Sequence, residues 1–448
     1  MITKGASFQY NPIKSVPLNS FWGEKINMTI NLALIGCGGM GLRHVYGMIQ
    51  LKKHFDTFNL VALCDRNKSA AEHVSSIAEK ELGIRPQIFT EFDDLLASNA
   101  SFDAVDITVD TGSHHKIAIE ALSSGFHVIV EKPMGITIKA CNNMASASDK
   151  NGKVLAVAEN YRRDPLCRLA KSLLAEKIIG ESRVALDISI GGGDTLMHNT
   201  AWRVIKSRGG GFLLEQGVHN ADLLLYYLGE AQNVFAETAL LESEVRRAPV
   251  PEGLARFYEH RSDDIFPNAE IVSSDAADTG VAVIKFESGA ICHLTMSRTS
   301  PSKPTGLSTI HGSLGTMIMP NPRQGIGPIV QLAENITVEG DELLELVPEM
   351  KLDECTAAYF GGTNPIASYD IPFDQVDSAL VAIELQDFAE SIQSGNNPEV
   401  DQNIGTQAVA LIYGILESGY SGIPVSIRDI ITGSVSGYQQ PINVDLRI

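Results

Sequence analysis

The chain is short of positive charge. Its 448 residues carry 35 Lys and Arg against 54 Asp and Glu, a formal net charge of −19. Nucleic acids and anionic membranes reward clustered Lys and Arg, so neither is an expected partner. Long apolar runs are missing too, and nothing approaches the ~20 residues of a membrane span. The first thirty residues lack an apolar signal core and a twin arginine. They read as an N-terminal arm (residues 1–30) lying on the surface or on a neighbouring subunit, with Met28 as an alternative start. Cysteine is scarce. The six (Cys37, Cys64, Cys141, Cys167, Cys292, Cys355) form no Cys-x-x-Cys pair, which removes the zinc-knuckle and redox-couple readings and suits reduced thiols in a cytoplasmic protein. No repeat or low-complexity tract appears. At this length, with 44% hydrophobic and 20% charged residues, two globular domains are expected rather than one core.

What is there begins at Leu32-Ala33-Leu34-Ile35, an apolar strand signal that runs into Gly36-Cys37-Gly38-Gly39-Met40-Gly41 and then a helix-compatible stretch to Leu51. In a dinucleotide site each glycine has its own task. Gly36 allows the tight turn, Gly38 keeps side chains off a pyrophosphate, and Gly41 lets the helix pack closely on the strand. The first N–H groups and the dipole of that helix then bind phosphate. A second apolar run, Asn59–Cys64, ends at Asp65, 24 residues past Gly41 and near the ~20 expected. Its carboxylate suits the two ribose hydroxyls of NAD and repels the 2′-phosphate of NADP. Arg66 works the other way, because a guanidinium accommodates that phosphate. NAD is the expected cofactor, NADP the lesser alternative.

From residue 31 to 160 short apolar strands (31–35, 59–64, 87–89, 103–109, 127–130, 154–157) alternate with helical stretches such as Ser69–Leu82 and His115–Ser123. This is the pattern of a doubly wound parallel (Rossmann) α/β sheet. From 161 to 448 the pattern changes to a substrate-binding and oligomerisation domain of α+β type. After the helix Leu166–Lys177 come long alternating β runs at 182–190, 232–239, 278–286 and 290–299, which imply a large, mostly antiparallel, open-faced sheet. The polar segment 243–275 reads as a surface excursion and 340–375 as irregular. Helices resume at Val376–Ser394 and Gly405–Ser418. Val184, Leu186, Ile188 and Ile190 alternate with Ala185 and Asp187, and Val281, Val283 and Ile284 continue the apolar character. An uncovered apolar face of that kind marks an interface, so a homodimer or homotetramer is expected.

Several motifs stand in a familiar order: the glycine turn with Asp65-Arg66; Asp103-Ala104-Val105-Asp106-Ile107, then His114; Gly125 to Glu131-Lys132-Pro133; Asn160-Tyr161-Arg162; Trp202-Arg203; and Gly209-Gly210-Gly211 through Glu215 and His219 to Asp222. In these the chain resembles the Gfo/Idh/MocA family (glucose–fructose oxidoreductase, inositol dehydrogenase, rhizopine catabolism), over 30–240 and again over 376–428. The resemblance implies cofactor contacts from Gly36, Gly38, Gly39, Met40, Gly41, Asp65, Arg66, Thr108, His114, Glu131, Lys132 and Asn160. Two departures stand out: Val109-Asp110 replaces the usual Thr-Pro, and Glu215 replaces an Asp.

Hydride transfer at a secondary alcohol needs a group for the hydroxyl proton and positive charge near the developing alkoxide. Lys132, just after the fifth strand, is the leading candidate, its pKa lowered by desolvation. His219 is the second proton carrier. Glu215, one helical turn earlier, either orients that imidazole or holds a substrate hydroxyl. Tyr161, Arg162, Trp202, Arg203 and Asp222 are candidate substrate contacts, against readings as an ion pair or an interface anchor. His114 and His115 point apart on a helix and lack a metal signature, so no catalytic metal is expected. The expected activity is NAD(H)-dependent oxidoreduction of a ring hydroxyl of a sugar, cyclitol or related polyol. A redox-assisted glycoside-cleaving enzyme and, further off, a non-catalytic NAD-binding regulator are the alternatives.

Overall fold

The computed structural model describes residues 29–250, 252–258 and 269–448. Apart from its last two residues, the N-terminal arm lies outside the described chain, as does Met28.

Six parallel strands form the first sheet: β1 (Ile30–Ile35), β2 (Phe58–Cys64), β3 (Gln87–Phe89), β4 (Ala104–Ile107), β5 (His127–Glu131) and β6 (Leu155–Ala158). Their order is β3-β2-β1-β4-β5-β6. All residues of β4 and β6 are buried, as expected of strands covered on both faces. The connecting helices are α1 (Gly39–Lys52), α2 (Lys68–Leu82), α3 (Phe92–Leu96), α4 (Thr111–Ser123) and α5 (Ile138–Asn151). Local chemistry sets their ends: Asn67 caps α2 by accepting from Ser69 and Ala70 N–H, Thr137 caps α5, and left-handed Gly83 and Gly152 close them. Strand order reverses between β1 and β4, so a crevice opens at their carboxyl ends, where ligands bind in such sheets.

The second sheet has nine strands, in the order β16-β15-β14-β13-β7-β12-β11-β8-β17. Their ranges are β7 (Ser182–Gly192), β8 (Ala231–Ala239), β11 (Thr279–Phe286), β12 (Ile291–Ser300), β13 (Thr305–Gly312), β14 (Gly315–Ile318), β15 (Ile329–Leu332), β16 (Thr337–Val338) and β17 (Val425–Ser426); β9 (Glu244–Arg246) and β10 (Ile271–Ser273) form a separate hairpin. Every pairing is antiparallel except β7 with β12. The helix α6 (Pro165–Ala175) precedes this sheet, and α7 (Gly211–Leu228) and the helix Gln402–Ser421 cover one of its faces. Ala185, Ala282 and Ile284 point into that covered side, whereas Val184, Val281, Val283 and Ile291 stay exposed. Of the three apolar residues named in β11, Ile284 belongs to the covered side: it sits one residue out of step with Val283, and adjacent strand residues point to opposite faces.

Two further readings change. The helix Phe373–Ser394, expected within the second domain, packs on α1 and buries Val376, Leu380, Val381 and Phe388 in the core that contains β1 and β2. The supposed surface excursion carries a short helix, α8 (Glu252–Tyr258), whose Phe257 and Tyr258 are buried against the same core. No helix among the described residues is long and apolar enough to cross a membrane.

Candidate active site

The site starts at the glycine turn. Gly36 has φ +98°, a left-handed conformation, and Gly41 approaches the turn so closely that a Cβ would stand 2.0 Å from the Gly36 carbonyl. Thr108, at the end of β4, locks the turn by donating its hydroxyl to Gly36 O at 2.7 Å. Gly38 caps α1 without any side-chain hydrogen bond, so the first N–H groups of the helix remain for a ligand. Asp65 Oδ2 accepts the Cys37 N–H at 2.6 Å and Oδ1 accepts that of Asn67 at 2.7 Å. The carboxylate is thereby fixed beside the turn, and Arg66 is exposed next to it. These residues fit a dinucleotide: the turn, the uncapped helix start and the acidic residue are all in place around one cavity.

That cavity, of about 1050 Å³, runs from Asp65 past Thr108, Asn160 and Lys132 to Trp202, Arg203, Glu215 and His219. Lys132 follows β5 through a cis peptide to Pro133. Its Nζ donates to the Glu215 carbonyl at 2.9 Å and to Glu215 Oε1 at 3.2 Å. Arg203 hydrogen-bonds the same carboxylate oxygen. Burial, then the neighbouring Arg203, bring the Lys132 ammonium down to about 8. Glu215 is thus the anchor of Lys132 and Arg203. It does not orient the imidazole.

The imidazole partner is Glu159, at the end of β6. His219 Nδ1 lies 2.8 and 2.7 Å from the two carboxylate oxygens of Glu159, and the ring stacks on Tyr161 at 3.9 Å, with the two planes nearly parallel. Burial and the charges of Lys132 and Arg323 push His219 well below its ordinary value, so the imidazole is neutral. Burial lifts Glu159 to about 7. With Nδ1–H donated to Glu159, Nε2 is left for a substrate.

Three expectations are corrected. Arg162 and Asp222 do not line the cavity; they form a bidentate buried pair at 2.8 and 2.6 Å, each satisfying the other. His114 is buried behind the cavity wall. Its ring nitrogens meet the carbonyls of Pro133 and Val109, bracing the turn that carries Lys132, and His115 lines the cavity instead. Glu131 reaches the wall, but its Oε1 is engaged at 3.1 Å by His44, whose other nitrogen lies 2.8 Å from Asp106. Burial opposes charge on His44, but the two carboxylates prevail and hold it protonated. Glu131 is accordingly held down despite its burial. Asp110, at the family departure, precedes α4, accepts from the Ser113 hydroxyl at 2.9 Å and lines the cavity.

Sequence reasoning missed several cavity residues. Arg323, on the loop after β14, donates to the Tyr161 hydroxyl at 2.7 Å and to Asp377 at 3.1 Å. Arg43, in α1, pairs with the same Asp377. Tyr258 lies against Gly39, leaving no room for a side chain there, and stacks on His198 at 4.9 Å. No local pattern marked these positions; only the GxGxxG spacing placed Arg43 near the turn at all.

Comparison with known proteins agrees with this architecture. Residues 30–159 match an oxidoreductase family with an NAD-binding Rossmann fold, and residues 167–318 match the C-terminal domain that accompanies it. The chain belongs to the Gfo/Idh/MocA family of oxidoreductases. It is 25% identical to a levoglucosan dehydrogenase of Pseudarthrobacter phenanthrenivorans, over 87% of this chain and 96% of that one. It is 23% identical to D-xylose 1-dehydrogenase (NADP(+)) 2 of Haloferax volcanii, over 88% and 98%. Among solved structures, levoglucosan dehydrogenase in complex with NADH and levoglucosan shares the fold with a TM-score of 0.69 at 22% identity, covering 89% of this chain and 100% of that one.

Proposed function

We propose that this chain is an NAD(H)-dependent dehydrogenase moving hydride to or from a ring hydroxyl of a sugar, cyclitol or related polyol. The observation that carries it is Lys132. A partly buried ammonium, brought down to about 8, stands in one cavity with the glycine turn and Asp65. At that value Lys132 exchanges a proton with a hydroxyl near neutrality. Its hydrogen bonds to Glu215 hold it in place, and Arg203 adds positive charge toward an alkoxide. His219, held by Glu159 and Tyr161, presents Nε2 to a second hydroxyl. Bound NAD supplies the hydride acceptor. The levoglucosan and xylose dehydrogenases similar to this chain are named for sugars.

NAD is preferred over NADP in this reading, because the fixed Asp65 carboxylate repels a 2′-phosphate. Replacing Asp65 by alanine should narrow the NAD-to-NADP affinity ratio at least tenfold; tighter NADP binding by the unaltered protein would refute the preference. The exposed face of Val184, Phe235, Val281, Val283, Ile291 and Leu307 supports assembly with a second copy. Six free cysteines, all buried, suit the cytoplasm.

Incubating the protein with NAD and a panel of sugars and polyols tests the activity. Reduced nicotinamide should accumulate in step with an oxidised product. Product without net reduced nicotinamide would instead indicate oxidation–elimination of a glycoside, and cofactor binding without any turnover would leave a regulator.

A further inference from the structure

The cavity is electrically lopsided. Away from Lys132 its lining is mixed, with Asp65, Glu91, Asp93, Asp110, Glu120 and Asp445 outnumbering Arg66, Lys116 and Arg208. At the substrate end four cations, Arg43, Lys132, Arg203 and Arg323, face the same space. In a chain of net charge −19 this concentration is local.

Two carboxylates answer those four cations. Lys132 and Arg203 share Glu215. Arg43 and Arg323 share Asp377, which is fully buried and outside the cavity wall. Glu131, the other acid on this wall, is bound with Asp106 to the protonated His44. His198 and His219 contribute no negative charge, and Arg298, which donates to the Thr195 carbonyl, adds one more cation near His198. Glu159, held on His219 and acting on Lys132, is lifted by burial to about 7 and so carries only part of a negative charge near neutrality; with it counted, positive charge still exceeds negative charge around the reacting end. Arg323 also holds a buried Nε that meets no acceptor. Holding the Arg323 guanidinium with a buried donor unmet costs solvation that an entering anion restores, and guanidinium forks favour carboxylate and phosphate oxygens. The pyrophosphate of a dinucleotide has its own receptor in the uncapped start of α1.

We propose that the substrate is an anionic sugar or cyclitol, whose carboxylate or phosphate is received by the Arg43–Arg203–Arg323 wall while its hydroxyl faces Lys132. This rests on the dehydrogenase reading above.

The test compares matched pairs on the unaltered enzyme with NAD: methyl glucuronoside against methyl glucoside, methyl galacturonoside against methyl galactoside, and glucose 6-phosphate against glucose. Thermal shift in the presence of NAD is read beside kcat/KM. A net charge-assisted hydrogen bond predicts about 10- to 100-fold higher kcat/KM, and a larger thermal shift, for an acid over its neutral partner. Preference among uronosides assigns a carboxylate, and preference for the ester assigns a phosphate. Arg323→Gln should collapse the acid-to-neutral ratio; an unchanged ratio in a folded variant would remove Arg323 from the receptor. Neutral sugars used as well as, or better than, their acids would overturn the inference and leave the dehydrogenase reading standing. No reduction of NAD and no thermal shift with any sugar would overturn both.

Discussion

Replacing Arg203 by methionine should move the pH profile of alcohol oxidation toward higher pH. Oxidation needs Lys132 neutral, to take the hydroxyl proton. With its value at about 8, about a tenth is neutral at pH 7 and about nine tenths at pH 9, so kcat/KM should rise about tenfold between them. Reduction, which needs the ammonium, should fall over the same interval. Arg203 is the second cause of the lowered value, after burial. Removing it takes away a like charge and leaves Glu215 to Lys132 alone. Both changes favour the ammonium, so the midpoint rises. Lys132 Nζ lies 3.2 Å from Glu215 Oε1, and Arg203 bonds the same oxygen, which places the two cations within about 6 Å. At an effective dielectric of about 20 their repulsion is about 2–3 kcal/mol, or roughly two pH units, and water admitted by the smaller side chain reduces this to about one. Initial rates of NAD reduction from acid to alkaline pH measure the shift. Arg203→Lys, which keeps the charge, should hold the midpoint nearer the original. A midpoint that stays put or falls in Arg203→Met would refute the assignment of Lys132 as the titrating group.

Two other outcomes follow from the packing. Asp222→Asn leaves the buried Arg162 without its counter-charge, and the penalty should be about 3–5 kcal/mol in denaturant unfolding, with KM for the substrate nearly unchanged; a KM rise without destabilisation would return Asp222 to the binding site. Val283→Asp, on the exposed apolar face opposite Phe235, should reduce the mass seen by light scattering to that of one 48.3 kDa chain, whereas a monomeric unaltered protein would exclude assembly through this face.

Much of the fold was legible because its signals are local. Apolar runs marked all six strands of the first sheet to within a few residues, and alternation in β7 set Val184 and Leu186 apart from the buried Ala185 and Asp187, whereas in β11 Val281, Val283 and Ile284 were grouped without regard to face. The glycine turn was legible for the same reason, since Gly36 and Gly41 answer to steric demands that only glycine meets. Partnerships were not. Glu215 and His219 are one helical turn apart on α7, yet α7 turns Glu215 toward Lys132 and Arg203, and the imidazole finds Glu159 at the end of β6. Helical spacing says which residues share a face and nothing of what that face meets. Arg162 and Asp222 stand 60 residues apart, and only the packing of α7 beside the end of β6 joins them. Arg323 and Tyr258 lie in segments without periodicity, so their arrival at the cavity depends wholly on tertiary folding.

The central claim is that Lys132 exchanges the proton as hydride moves between substrate and nicotinamide, and Lys132→Met tests it most directly. The side chain keeps its length and loses charge and proton. NAD affinity, followed by titration, should stay within a few-fold of the unaltered protein, because the glycine turn and Asp65 are untouched. Single-turnover reduction of NAD should fall by about 10²- to 10⁴-fold. Turnover within a few-fold of the unaltered enzyme, with NAD bound and chemistry limiting, would contradict the account.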